Sequence, residues 1–210
     1  MLDRLKYYLN NSPLYYKYLN VPVNNFRFRI RNLRVILRKY RWKKDMQVEG
    51  NTVYFVFDPD VPWKYPGLAD RLKVSVCAYY MAKQNGFDFK MVFEDPFMLD
   101  EYYRIGGDGS KVASYSDLSY SLQNSRLLPF NGQDRIPKLS WKVHQYHIYI
   151  CYGQDLLECN HIPDWQKVWG EYFRDLFKPS DKLLSAYNST GLIPRSYNCA
   201  HLRFVNALEH

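Results

Sequence analysis

The sequence has 210 residues, which suits one domain or one domain with a short extension. Its composition, 47% hydrophobic and 24% charged, is close to globular averages and excludes a disordered chain; no apolar run approaches the roughly 20 residues of a membrane-spanning helix. The net charge of +8 comes from residues 1–50, which hold 12 Lys and Arg against 3 Asp and Glu, so this segment is expected to seek phosphate groups.

Two helices are predicted in the basic segment. Residues 3–19 predict a short helix interrupted near Pro13. Residues 25–44 predict an amphipathic helix with two rows at helical spacing. The first row, the apolar stripe, consists of Phe26, Ile30, Leu33, Leu37 and Tyr40. The second row, the arginine stripe, consists of Arg27, Arg31, Arg34, Arg38 and Arg41.

Three roles are open for this helix. It packs its apolar stripe on a sheet with the arginines in solvent, which is the usual arrangement. Alternatively, it lies on an anionic membrane surface or grips nucleic acid. As an alternative function we predict anionic-surface binding through residues 25–44, with peripheral membrane contact through the arginine stripe and without nucleic acid as the expected partner.

A strand–helix–strand unit follows the basic segment. The β-branched and aromatic run Thr52–Phe57 predicts a buried strand, and residues 68–84 return to helical spacing. Asn85-Gly86 is a typical helix end, and Phe89–Phe93 predicts the second strand. Units of this kind form parallel sheets.

The rest of the chain alternates between loops and further elements. Residues 104–142 are loop-rich, and residues 145–151 predict a strand. Two helices are predicted over residues 164–177 and 180–187, and a last strand over residues 198–205. Ser180 is the expected N-cap of the second of these helices.

The predicted fold class is α/β, with a Rossmann-like, open and mostly parallel sheet flanked by helices. We expect this domain over residues 51–207 and a basic helical extension over residues 1–50. Residues 208–210 match the start of a common vector-encoded tag, and the natural chain is then expected to be longer.

The first candidate site joins the first strand to its helix, at Pro66-Gly67-Leu68-Ala69-Asp70-Arg71. Ligands of open α/β sheets collect at the carboxyl ends of strands. Gly67 lets a ligand approach the backbone, and the helix start offers N–H groups to an anion. Arg71 adds a guanidinium fork, and Asp70 accepts hydrogen bonds from sugar hydroxyls or acts as a base. The structural alternative is that Gly67 makes a turn and Asp70 complements the helix dipole.

The second candidate site is His201-Leu202-Arg203 in the last predicted strand. Strand alternation puts His201 and Arg203 on one face, where two cationic donors could hold a pyrophosphate leaving group. Taken alone, a satisfied histidine and a salt-bridged arginine explain the same pattern.

No metal site is predicted. Cysteines and histidines are most concentrated between His144 and His161, but zinc sites favour closer pairs such as Cys-x-x-Cys. The four cysteines are expected to be free and buried, as in a reducing cytoplasm.

Together, the two candidate sites resemble the motifs of GDP-fucose-dependent fucosyltransferases of the nodulation and protein O-fucosylation types. These enzymes open with a strand, a Gly-x-Gly-Asp/Asn turn, a long helix and a second strand. Much later they carry His-x-Arg at a strand end. Here Gly67–Arg71 and His201-Leu202-Arg203 occupy those places, and similarity covers residues 52–95 and 175–205. Ala69 stands where the family usually has its second glycine.

This resemblance implies the N-terminal, acceptor-side half of a GT-B glycosyltransferase. Such an enzyme transfers fucose from GDP-fucose to a glycan hydroxyl with inversion and needs no metal or other cofactor. The resemblance makes Arg203 the group that stabilises the departing diphosphate, with His201 nearby. Residues 67–71, including the ligand-binding Gly67, Leu68 and Arg71, line the other wall, and Asp70 is the catalytic candidate.

The expected setting is a bacterial enzyme of cell-surface polysaccharide biosynthesis in the cytoplasm, peripheral to the inner face of the membrane. Because transfer needs both walls of the cleft, we expect this polypeptide alone to be inactive. A third possibility is an interaction domain whose aromatic surface meets a protein partner.

Overall fold

The computed structural model describes residues 21–43, 50–61, 67–95, 97–130, 135–149 and 156–191, except for the side chains of residues 21–24. The predicted helix over residues 3–19 and the predicted strand over residues 198–205 lie outside this part of the chain. The described helices are α1 Val21–Lys39, α2 Leu68–Gln84, α3 Leu156–Cys159, α4 Trp165–Leu176 and α5 Asp181–Ser189. The described strands are β1 Thr52–Phe57, β2 Asp88–Phe93, β3 Tyr103–Ile105, β4 Ser125–Leu127, β5 Gln145–Ile148 and β6 Phe177–Pro179.

The central feature is a sheet of four parallel strands in the order β2-β1-β5-β4. The predicted strand–helix–strand unit is confirmed: β1 pairs with β2 in register from Thr52↔Asp88 to Phe57↔Phe93, and α2 connects the two strands. On its other side β1 pairs with β5, with Tyr54 opposite His147. The chain is therefore an α/β protein with a parallel sheet, consistent with a Rossmann-like arrangement.

Helices cover both faces of this sheet, as the alternation of side chains along β1 shows. Val53, Phe55 and Phe57 belong to the core formed with α2 and α4. Tyr54 and Val56 belong to a separate core that contains Val35 of α1. Since successive side chains of a strand point to opposite faces, α1 covers the face opposite α2 and α4.

Helix α2 ends as its sequence predicts. Asn85 is the C-cap, and Gly86 follows with φ of +72°, a left-handed conformation that favours glycine. The Asn85 side chain also accepts a hydrogen bond from the Leu139 amide, at 2.8 Å, and so ties the helix end to the loop before β5.

Ser180 is the N-cap of α5, as predicted. Its hydroxyl accepts a hydrogen bond from the Leu183 amide at 3.3 Å and donates one to the Glu101 carbonyl at 2.7 Å.

Three strands of three residues each were not predicted. β4 lies within the stretch predicted as loop, at the edge of the main sheet. β3 and β6 form a small antiparallel sheet in which Ile105 pairs with Phe177. Because β6 begins at Phe177, helix α4 ends at Leu176, before the predicted end of that helix.

The orientation of α1 differs from the usual arrangement considered for it. The helix buries Asn32 and Val35 against the sheet, and Tyr40 just after its last residue, whereas Phe26, Leu33 and Leu37 of the apolar stripe are exposed. The apolar stripe as a whole is therefore not the face by which α1 packs. Among the described residues, no helix has the length and apolar composition to cross a bilayer.

Candidate functional site

The first candidate site lies where α2 begins, after the loop that leaves the carboxyl end of β1. Gly67 occupies the N-cap position with φ −59° and ψ 163°, a backbone conformation open to any residue. A Cβ at Gly67 would meet no described atom within 4 Å. Glycine here is therefore not required by the backbone, and no described residue fills the space beside it.

The start of α2 also provides donors. The first N–H groups of a helix have no acceptor within the helix, and the first such bond here runs from the Arg71 amide to the Gly67 carbonyl, at 3.1 Å. Leu68 is 39% exposed at the same end. Open space and amide donors without an acceptor in the helix are the conditions that a helix start needs to bind an anion.

Arg71 is held on aromatic rings at the carboxyl edge of the sheet. Its guanidinium carbon lies 5.7 Å from the centroid of Phe57 and 5.4 Å from that of Phe93, the last residues of β1 and β2. Its Nη1 donates a hydrogen bond to the Asp95 carbonyl at 3.3 Å. These contacts fix a planar, permanently charged donor at the edge where α/β sheets bind ligands.

Asp70 is half-exposed on the first turn of α2. Its carboxylate pairs with Lys73 of the same helix at 3.7 Å. The carboxylate is therefore accessible to a substrate hydroxyl, and it also complements the N-terminal end of the helix dipole, as the structural alternative expected.

The second candidate site belongs to the end of the chain. His201 and Arg203 lie outside the described residues. Their convergence with residues 67–71 stays a prediction.

A second group of polar side chains, missed by the sequence analysis, lies at the same edge near the boundary of β1 and β5. Asp58 directly follows β1, is buried, and pairs with Lys39, the last residue of α1. Asp58 Oδ1 also accepts a hydrogen bond from the Asp60 amide at 2.9 Å. Strand order reverses at this boundary, with β2 on one side of β1 and the later strands on the other, and crevices form at such points.

Phenols surround the Lys39–Asp58 pair. The Tyr120 and Tyr149 hydroxyls lie 2.8 Å apart, and Lys39 Nζ is 5.6 Å and 5.9 Å from the two ring centroids. Burial, followed by the charge of neighbouring tyrosines, raises the pKa of Tyr149 far above its usual range. These hydroxyls are therefore neutral hydrogen-bonding groups at physiological pH.

Tyr115 connects this group to the end of β1. Its hydroxyl donates a hydrogen bond to the Phe57 carbonyl at 2.5 Å. Burial and then the negative field of Asp58, Glu94 and Asp95 raise the pKa of Tyr115 well above its usual range. The edge thus combines carboxylates, phenols and Arg71, a mixture suited to a ligand with both hydroxyl and phosphate groups.

His147 is a structural residue below this edge. Its ring is fully buried, with Nδ1 2.8 Å from the Tyr40 hydroxyl and Nε2 3.0 Å from Gln145 Oε1. Because Gln145 Oε1 already accepts from the Ser119 amide, Nε2 carries the proton and Nδ1 accepts from Tyr40. Burial and then the charge of Lys39 lower the pKa of His147 to about 3.

The histidines and cysteines considered for a metal lie partly in the described ranges, and Cys151 lies outside them. Within the described ranges, no group of three His, Cys, Asp or Glu side chains is placed to hold an ion. Cys77 is buried as expected, but Cys159, the last residue of the four-residue helix α3, is exposed, which contradicts the predicted burial of that thiol.

The polar group around Asp58 could have been predicted from the Asp58-Pro59-Asp60 sequence, which directly follows a buried strand. An acidic residue at the carboxyl end of a central strand points to a binding edge. No feature of the sequence indicated that Asp58 pairs with Lys39.

In comparisons with known proteins, no family model matches the chain, and no curated protein matches it significantly.

Proposed function

We propose that this chain is the acceptor-side half of an inverting glycosyltransferase that uses GDP-fucose. The observation that carries the proposal is the position of Arg71, fixed on the rings of Phe57 and Phe93 beside the open start of α2. This arrangement offers a guanidinium fork and helix amides to a diphosphate. The parallel sheet and the resemblance of residues 67–71 to the fucosyltransferase turn support the same proposal.

The carboxylates and phenols around Arg71 support a sugar-containing substrate. Glu94 and Asp95 follow β2 directly, and their charges reach Tyr115. Carboxylate oxygens accept hydrogen bonds from sugar hydroxyls, while a lone phosphate would be repelled by them. A substrate with hydroxyls toward the carboxylates and a diphosphate toward Arg71 satisfies both parts of the edge.

In the proposed reaction, an acceptor hydroxyl attacks the anomeric carbon of fucose as its bond to the GDP oxygen breaks. The hydroxyl proton passes to Asp70, and the electron pair of the broken bond leaves with GDP. Arg71 stabilises the charge that develops on the diphosphate, and the resemblance assigns His201 and Arg203 the same task from the facing wall.

The test is calorimetric titration of the protein with GDP-fucose, GDP and UDP. We expect GDP-fucose and GDP to bind and Arg71→Gln to weaken both about tenfold or more, because a charge-assisted hydrogen bond contributes roughly 1.5–3 kcal/mol. Lys83→Gln, at the other end of the same helix, removes an equal charge and should leave binding unchanged. Equal affinity for GDP and UDP, or unchanged binding by Arg71→Gln, would contradict the proposal.

A further inference from the structure

Helix α1 presents a second apolar face to solvent. Phe26 is 64% exposed, Leu33 52% and Leu37 67%, although residues of these types are usually buried. Steps of seven and four residues put the three side chains within about 20° of one line along the helix. Val35 and Asn32, which α1 buries, lie on the opposite side. The exposed face is therefore a continuous row, distinct from the face that anchors the helix.

Arginines flank this row. Arg27, Arg34 and Arg38 are exposed and lie about 80–120° around the helix from Phe26, between the exposed row and the buried face. Arg29 is exposed on the other side of the row. The sequence of α1 holds no Asp or Glu to balance these charges. The outer surface of α1 therefore combines an apolar centre with positive flanks.

We propose that α1 docks this outer surface on an anionic lipid membrane. The helix lies flat, with Phe26, Leu33 and Leu37 in the boundary between headgroups and acyl chains and the arginines on lipid phosphates. Helices that lie in a membrane interface have an apolar face bordered by basic residues, as α1 does. The helix rests on the membrane and does not cross it, consistent with its composition.

A lipid surface accounts for both parts of this face, whereas nucleic acid accounts for one. The arginines would satisfy the phosphates of either partner. A row of two leucines and a phenylalanine gains nothing from the phosphate backbone but gains free energy when it enters the acyl boundary. Trp42, 77% exposed after the end of α1, is a residue type that favours the membrane interface.

Docking through α1 would bring the candidate site close to the lipid. Lys39, at the end of α1, pairs with Asp58 at the carboxyl edge of β1. The end of the docked helix and that edge are therefore joined by a direct contact. This consequence rests on the proposed function; the docking itself rests only on the surface of α1.

The experiment is sedimentation of the whole protein with vesicles of phosphatidylcholine alone or mixed equally with phosphatidylglycerol. We expect binding to the mixed vesicles only, with a blue shift of tryptophan fluorescence that Trp42→Phe removes. Arg34→Gln/Arg38→Gln should weaken binding about thirtyfold, since each basic residue near such a surface contributes roughly 1 kcal/mol. Leu33→Gln/Leu37→Gln should weaken it about tenfold or more through lost insertion.

Matched controls separate this surface from general charge and apolarity. Lys142→Gln/Lys167→Gln removes two exposed charges elsewhere, and Met98→Gln/Leu184→Gln removes two exposed apolar side chains, and both should bind as the wild type does. Equal binding to neutral vesicles, or Arg and Leu variants that bind like the controls, would overturn the proposal. So would tighter binding to a single-stranded RNA that ignores Leu33→Gln/Leu37→Gln.

The thermal midpoint tests whether the row is already covered. Because Leu33 and Leu37 are exposed, Leu33→Gln/Leu37→Gln should change Tm no more than Met98→Gln/Leu184→Gln does. A clear drop in Tm, or loss of a dimer in sedimentation velocity, would show that another part of the chain or a second copy occupies the row, and the membrane proposal would fail.

Discussion

The buried histidine gives the molecule a specific sensitivity to acid. His147 is fully buried and neutral, and protonation would place an unpaired charge in the core and remove the acceptor that Nδ1 offers to the Tyr40 hydroxyl. Its pKa is about 3 in the folded state and about 6.5 in an unfolded chain. The unfolded chain therefore binds a proton first as pH falls, and stability is lost from about pH 6.5 downward until the folded-state pKa is reached.

The size of the effect follows from the separation of the two pKa values. Each unit between them corresponds to about 1.4 kcal/mol, so the His147 contribution should reduce the free energy of unfolding by about 3 kcal/mol between about pH 7.5 and pH 4.5. Urea denaturation across this range measures the loss. The variant His147→Gln should show a shallower slope, and the difference between the two proteins isolates the histidine from carboxylates that titrate lower in the range.

If His147→Gln does not fold, an NMR titration of the wild-type protein tests the same prediction directly. The imidazole carbon shifts of His147 in the folded wild-type protein should not change down to about pH 4.5. Titration of this ring near pH 6.5 in the native state would refute the reasoning, since it would mean that burial and the contacts with Tyr40 and Gln145 do not hold it neutral.

Three further predictions concern stability. Val35→Ala should lower the free energy of unfolding by about 2 kcal/mol in urea denaturation, whereas Leu37→Ala on the exposed face should cost less than about 0.5 kcal/mol; the reverse order would mean that α1 packs by its apolar stripe. Ser180→Ala removes the N-cap of α5 and should cost about 1 kcal/mol in the same assay. Gly86→Ala should cost about 1–2 kcal/mol because of its positive φ, while Gly67→Ala should leave Tm unchanged and weaken GDP binding in calorimetry.

Elements with strong local signals were predicted from the sequence. β1 is a run of β-branched and aromatic residues, β2 contains Phe89, Val92 and Phe93, and Asn85-Gly86 ends α2 through a conformation that glycine adopts at little cost. β3, β4 and β6 were missed because three residues are too few for a periodic pattern. Such short strands form because a partner strand supplies their hydrogen bonds.

The candidate site was also predicted only in part: its neighbouring residues were identified from the sequence, and its contacts between distant residues were not. Gly67, Asp70 and Arg71 are close in sequence, so the turn between a strand and a helix was enough to identify them. The support of Arg71 by Phe57 and Phe93 depends on the pairing of two strands, and the Lys39–Asp58 pair depends on where α1 crosses the sheet. Contacts between residues distant in sequence leave no periodic signal.

Helix α1 shows most clearly which features the sequence determined and which ones depended on the tertiary structure. The spacing of apolar and basic residues by itself predicted an amphipathic, arginine-rich helix over residues 25–44, and the structure has this helix over Val21–Lys39, so that it begins and ends earlier than predicted. The spacing could not determine which face meets the sheet. Apolar residues lie on two sides of the helix, at Val35 and at Leu33 and Leu37, and only one side can pack on β1 and β5. The tertiary structure placed Val35 and Tyr40 over these strands, where Tyr40 satisfies the buried His147. A buried imidazole without a partner is costly, and Tyr40 supplies the partner of His147, while Leu33 and Leu37 remain at the surface.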